Sequence, residues 1–201
     1  MESEVMGEVV EGGKMTTSFY SEEEIKKMGF AHIGHDVQIS RKASIYGAKN
    51  IWIGNHVRID DFCVLSGKIT LGNYIHIAVS TVLFGGTAGI IFEDYTGISS
   101  RCGVYATTDD YSGDYMTNPT VPAKYTNVID EPVVIKKHSI IGTGSTILQG
   151  VTIEEGCALC AMTLATKDTK PWGIYMGYQC VRVKERSREL LNLDISELEE
   201  A

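Results

Sequence analysis

No stretch of this 201-residue chain approaches the roughly 20 consecutive apolar residues that a membrane-spanning helix needs. Met1 to Gly13 is acidic and glycine-containing and lacks the apolar segment of a secretion signal. Basic residues are in deficit, 18 Lys and Arg against 26 Asp and Glu, for a net charge of −8. That balance excludes the broad basic face of a nucleic-acid binder and leaves room for a local basic pocket around a phosphate. Proline is scarce, 4 residues against 21 glycines, so turns are frequent and no proline-rich linker divides the chain. The five cysteines (Cys63, Cys102, Cys157, Cys160 and Cys180) are odd in number and are expected to be reduced thiols. The lone Cys157–Cys160 pair has no second pair to complete a four-ligand zinc site. A soluble, cytoplasmic protein is the expectation.

What the sequence has instead is a repeat. From Ile33 it reads Ile-Gly-His-Asp-Val-Gln and then Ile-Ser-Arg-Lys-Ala-Ser; Ile53-Gly-Asn-His-Val-Arg, Leu71-Gly-Asn-Tyr-Ile-His and Phe92-Glu-Asp-Tyr-Thr-Gly open later units. After a break the rhythm resumes at Ile135 and runs through Ile141, Ile147, Ile153 and Leu159. Each six-residue unit opens on a bulky apolar residue, and four positions later stands a residue that is usually small or β-branched. A period of six fits neither an amphipathic helix nor an alternating strand. A triangular coil accounts for it: three six-residue faces make a turn of about 18 residues, with the opening aliphatic pointing inward. The longer spacings agree, at 20 residues from Ile33 to Ile53, 18 to Leu71, 21 to Phe92, and 18 from Ile135 to Ile153. The fold predicted is an all-β, left-handed parallel β-helix whose stacked coils share one core. Cys63, Cys102 and Cys157 fall on one class of inward site and are read as small buried groups.

Two regions depart from the rhythm. Residues 105–131 contain no hexad, and Tyr111, Tyr115 and Tyr125 argue for an ordered excursion loop that covers a site. Ser21-Glu-Glu-Glu reads as a capping box opening a short helix over Glu22 to Met28, which would plug the first coil. Leucines from Leu190 to Leu198 among charges predict a C-terminal helix over Glu185 to Glu199. The organisation expected is therefore residues 1–15 as a disordered or tag-like N-terminus, 16–32 as a capping segment, 33–183 as the β-helix with its loop at 105–131, and 184–201 as the C-terminal helix.

The run Ile141-Gly-Thr-Gly-Ser-Thr-Ile-Leu-Gln-Gly-Val-Thr-Ile, with Ala161-Met-Thr-Leu-Ala-Thr-Lys-Asp and Trp172-Gly-Ile-Tyr-Met-Gly, resembles the hexapeptide-repeat acyltransferases. The loop text Thr107-Thr-Asp-Asp-Tyr-Ser and Met116-Thr-Asn-Pro-Thr-Val-Pro resembles the nucleotide-amino-sugar N-acyltransferases of surface-polysaccharide pathways. The likeness covers Phe30 to Arg186. It implies a homotrimer with active sites between subunits, acyl-CoA (acetyl or longer) as co-substrate, and a nucleotide-sugar acceptor. By the same resemblance Gly142, Thr143 and Ala161 would follow the pantetheine arm, Thr166 and Lys167 would contact the cofactor, and Lys184 and Arg186 would lie near the CoA phosphates. Tyr178-Gln-Cys stands after Gly177 where the family often has Pro-Ala, so the adenine pocket would differ in shape.

The galactoside-type members of this group carry a histidine early in the loop as base for a sugar hydroxyl. Here Asp109 stands in its place with Asp110 beside it, and no histidine occurs between His76 and His138. A hydroxyl needs a base more than a neutral amine does, so N-acylation is expected, with O-acetylation of a sugar as the alternative. Carboxylates can orient an amine toward a thioester, and the candidates are Glu93, Asp94, Asp109 and Asp110. Glu93 is conspicuous because Gly54 and Gly72 hold its position in neighbouring coils. Arg101 and Lys124 could meet the acceptor's phosphates, and Tyr111, Tyr115 or Tyr125 could stack on its base or pack the loop down. A γ-type carbonic anhydrase shares the fold, but the spacing of the five histidines does not match its metal set, so no metal is expected. A non-catalytic scaffold is the remaining reading, and the acidic, aromatic loop weighs against it.

Overall fold

The computed structural model of the chain describes residues 8–11 and 14–199. Short strands stack into three parallel faces of a left-handed β-helix of about seven turns. The first face holds His32–Ile33, Ile51–Ile53, Ile69–Leu71, Ile90–Phe92, Val133–Ile135 and Thr152–Ile153. The second runs from Gln38–Ile39 to Gly173–Met176, and the third from Ser44–Tyr46 to Leu164–Ala165. The repeat's opening residues fall into register, with Ile53 against Leu71, Leu71 against Phe92, Phe92 against Ile135, and Ile135 against Ile153. Each is 0–1% exposed, and burying such a side chain contributes about 1.5–3 kcal/mol. Cys63, Cys102 and Cys157 are buried in the same core, and desolvation pushes the Cys63 thiol up to about 11.

The corners make the chain turn. His56, Tyr74, Tyr95, His138 and Trp172 occupy equivalent corners between the first and second faces, all with φ between 54° and 62°. A left-handed backbone costs a non-glycine residue about 1–3 kcal/mol. Ring stacking offsets part of that cost, with centroids 4.5, 5.1, 5.4 and 6.4 Å apart along the column. Beneath the rings a polar ladder ties coil to coil. Asn55 Oδ1 accepts from the His35 N–H, Asn73 Oδ1 from the Asn55 N–H, and Asp94 Oδ1 from the Asn73 N–H. A side chain at Gly72 would put its Cβ 2.4 Å from Asp94 Oδ1, so the ladder requires glycine there.

The N-terminal helix spans Glu22–Lys27 and carries the capping box, with Ser21 and Glu24 bonded to each other's backbone N–H. Ile25, 3% exposed, closes the first coil. The Arg41 guanidinium grips Glu24 in two bonds of 2.9 and 2.6 Å, and with the Ser21 N–H it holds the Glu24 carboxyl down at about 2. Because the folded value lies below the unfolded one, this stabilisation is present above the ordinary value near 4.5 and is lost as pH falls through about 2. The melting-temperature gap between the native chain and Glu24→Gln should therefore be constant above about pH 5 and close toward pH 2. A gap that persists at the acid end would show that the pair does not act through its charge.

The ends differ from the expected organisation. Residues 1–7, 12 and 13 of the expected disordered or tag-like start lie outside the described residues; Glu8–Glu11 and Lys14–Thr17 pair antiparallel. The C-terminal helix is much shorter than the pattern over Glu185 to Glu199 predicts. Val181–Glu185 is a strand folded antiparallel onto Gly173–Met176, followed by a 3-10 turn at Glu189–Asn192 and a helix at Ser196–Glu199. The last coil would otherwise leave an open edge, and the strand covers it. The leucines then lie beside Tyr95 and His138 of the ring column, and Tyr74 Oη donates to the Leu198 carbonyl.

Candidate active site

The excursion loop leaves the third face after Gly103–Tyr105 and returns before Val133–Ile135. It is ordered at its base by a two-stranded ribbon, Thr107–Asp109 against Val128–Asp130, with Asp109 opposite Val128. Its neck is closed by the Glu131 N–H donating to the Ala106 carbonyl at 2.9 Å. Asp130 Oδ2 accepts from the Thr87 and Ala88 N–H groups at 2.9 and 3.0 Å and from the Thr87 hydroxyl, fastening the ribbon to the coil below.

The two loop acids are not equivalent. Asp110 spends both oxygens on the loop, accepting from the Ser112 N–H and from Asn127 Nδ2, each at 2.7 Å. The Ser112 and Asn127 donors hold its carboxyl below the ordinary range. Asp109 accepts from the Asn118 N–H through Oδ2 at 3.2 Å, and no hydrogen bond from the described residues reaches its Oδ1. Half-buried at the loop base, it has an oxygen to offer a ligand. Tyr111 is 87% exposed, and Lys124 lies over the Tyr125 ring, 4.7 Å from its centroid.

Glu93 and Asp94 sit elsewhere, at the corner between the first and second faces, so the four acids form two pairs at different corners. Asp94 Oδ1 ends the polar ladder, also accepting from Asn73 Nδ2 at 3.3 Å. Glu93 Oε2 accepts from the Lys137 N–H at 3.1 Å. This gives the acid at a glycine position a physical reason. The next coil places Lys137 above Asp94, with no carboxamide to fill the space over residue 93, and the Glu93 carboxylate makes the bond to Lys137 from below.

Of the expected cofactor residues, Gly142, Thr143 and Ala161 share one edge and the others lie elsewhere. Gly142 and Thr143 follow Ile140–Ile141 at the corner between the second and third faces, and Ala161 stands at the same corner one coil on. The Met162 N–H donates to the Thr143 carbonyl at 2.8 Å, and a Cβ at Gly142 would lie 2.5 Å from the Ala161 nitrogen. Arg101, exposed with φ 57°, stands one coil earlier on this edge. Thr166 and Lys167 are exposed at the following corner. Lys167 opens onto a cleft of about 390 Å³ that it shares with Lys170, Arg182, Asp168, Tyr175 and Gln179. Arg182 is paired with Glu185 at 2.8 Å and Asp168 shares the cleft, which leaves Lys167 and Lys170 as the cations that could meet an anion there. Lys170 and Arg182 have no hexad signature and escaped the sequence reading. Lys184 is exposed on the terminal strand. Arg186 turns inward, its Nη1 donating to the carbonyls of His138, Gly156 and Cys157 at 2.6, 2.9 and 3.3 Å. Desolvation there lowers its pKa.

No family model matches the chain. Over 180 residues it is 44% identical to the dTDP-4-amino-4,6-dideoxy-D-glucose acyltransferase of Escherichia coli, covering 88% of this chain and 93% of that one. It superposes at TM-score 0.88 and 48% identity on AntD, an N-acyltransferase from Bacillus cereus solved with dTDP and 3-hydroxybutyryl-CoA, over 92% of this chain and 98% of that one. AntD has also been solved with single replacements at a serine and at an aspartate ten residues further along, with coenzyme A and either dTDP-4-amino-4,6-dideoxyglucose or dTDP bound. A hexapeptide-repeat acetyltransferase from Vibrio cholerae, solved with acetyl-CoA, is 21% identical with a TM-score of 0.56 over 82% of this chain and 76% of that one, and shares the fold. The coil repeat, the loop and this identity along nearly the whole chain agree: it belongs to the dTDP-4-amino-4,6-dideoxy-D-glucose acyltransferase family of left-handed β-helix enzymes.

Proposed function

We propose that this chain transfers an acyl group from acyl-CoA to the amino group of a dTDP-linked 4-amino-4,6-dideoxy sugar, in the cytoplasm and for surface-polysaccharide synthesis. The observation that carries the reading is Asp109, a half-buried acid at the loop base with one oxygen unspent. AntD variants mark a serine followed ten residues later by an aspartate. In this chain only Ser99 and Ser100 have an aspartate at that distance, and the partners are Asp109 and Asp110. Asp110 is committed to its loop, which leaves Ser99 and Asp109 as the pair.

Ser99 lies at one end of the third face and Asp109 beyond the other, so one chain holds them apart by the width of that face. A site that uses both draws them from two copies, which supports the homotrimer. Each acceptor would then bind between subunits, with Arg101 on the Ser99 edge and Lys124 and Tyr111 on the loop available to the dTDP moiety. CoA would follow Gly142, Thr143 and Ala161, with Thr166 beside Lys167 and phosphates over the cleft of Lys167 and Lys170. Lys184 would guard its rim.

The chemistry is an amide-forming exchange. The neutral amine attacks the thioester carbonyl, the C–N bond forms, the C–S bond breaks, and the amine's proton passes to the Asp109 carboxylate or to the departing thiolate. Asp109 orients the amine before attack, and such positioning can supply much of the acceleration. CoA release should appear with dTDP-4-amino-4,6-dideoxyglucose and be absent with the corresponding 4-hydroxy sugar or with simple galactosides. Release with the hydroxyl acceptors alone would replace this reading by O-acylation.

A further inference from the structure

The ring column changes chemistry at its N-terminal end. Where the next stacked ring would stand, the first coil has His35 and Asp36, with His56 above them. Both imidazole Nδ1 atoms converge on Asp36 Oδ2, at 3.3 Å from His35 and 3.4 Å from His56. Ligands held about 2.0–2.1 Å from a tetrahedral zinc stand about 3.3–3.4 Å from one another, so two of the three edges already match. The three ligand atoms lie within 4.8 Å of each other, and the His35 side chain at the remaining edge is half exposed. The backbone beneath is fixed, because the His56 N–H donates to the His35 carbonyl at 3.0 Å and the His35 N–H to Asn55. His56 Nε2 is buried with no hydrogen-bond partner, so the ring's bonding capacity is directed through Nδ1 to this cluster. Glu22, ion-paired with Lys26 at 3.8 Å, lines the same small recess as His35 and Asp36.

We infer that His35, Asp36 and His56 form a divalent transition-metal site, with zinc as the fitting ion and water completing the shell. It joins the first coil to the second at the end of the solenoid away from the coils that bear the CoA residues, and its role is to hold that end together. The test uses chelator-stripped full-length chain titrated with zinc chloride at about pH 7.5. One zinc per chain should bind and raise the melting temperature. Asp36→Asn, which keeps a side chain tolerant of the left-handed corner, and His35→Gln should each weaken uptake roughly 100-fold and remove the thermal shift. Acyl transfer should proceed at the same rate after chelation. Absence of stoichiometric uptake by the native chain, uptake unchanged in both variants, or loss of acyl transfer on chelation would each overturn the inference.

Discussion

Asp109→Asn should lower kcat by about 10²–10⁴-fold, the range expected when a positioned proton acceptor is removed. The substituted amide still accepts from the Asn118 N–H through its remaining oxygen, so the loop keeps that bond. Stability should change by no more than about 0.5 kcal/mol. The neighbouring Asp110→Asn should behave differently. Its carboxylate receives Ser112 and Asn127, so its loss loosens the loop and shows first in KM for the sugar. Steady-state rates with a dTDP-amino sugar and saturating acyl-CoA separate the two, and a near-normal kcat for Asp109→Asn would remove it from the reacting centre.

The second large effect is on the fold. Among the described residues Phe92 is the bulkiest of the fully buried side chains, 1% exposed, in the inward column between Leu71 and Ile135. Phe92→Ala should cost about 3–5 kcal/mol, because the coils above and below are tied by their own backbone bonds and cannot collapse into the space. For a chain of this size that corresponds to a fall of roughly 10 °C in melting temperature. Thermal or urea unfolding of the purified variant measures it, and a fall under about 2 °C would mean that the coil can repack around the gap.

The legible part of this protein was the part governed by inward packing. A bulky residue every six positions identifies Ile53, Leu71, Phe92, Ile135 and Ile153 as one column, and the register confirms it residue by residue. The Ser21–Glu24 capping box was legible for the same reason, since its chemistry is local. The C-terminal segment was not. Its leucines have helical spacing, but the unpaired edge of the last coil recruits Val181–Glu185 as a strand, and no local propensity contains that edge. Glu93 drew attention as an acid in a glycine position, and only the neighbouring coil reveals the Lys137 N–H it serves. Asp109 and Asp110 look alike in sequence and differ only in how many of their oxygens the loop consumes. Ser99 carries no signal of its own in the sequence, because its proposed role rests on the serine and aspartate replaced in AntD.

The neck of the excursion loop has a consequence of its own. The Glu131 N–H and the Ala106 carbonyl are bonded directly, and Ile90–Phe92 pairs with Val133–Ile135 as if nothing had intervened. The chain thus leaves and re-enters the solenoid at almost the same point, and the coils on either side never register the length of the detour. Such a junction is modular in the genetic sense. Insertions, deletions and replacements between residues 106 and 131 can change what the loop presents while the coils and their shared core stay as they are.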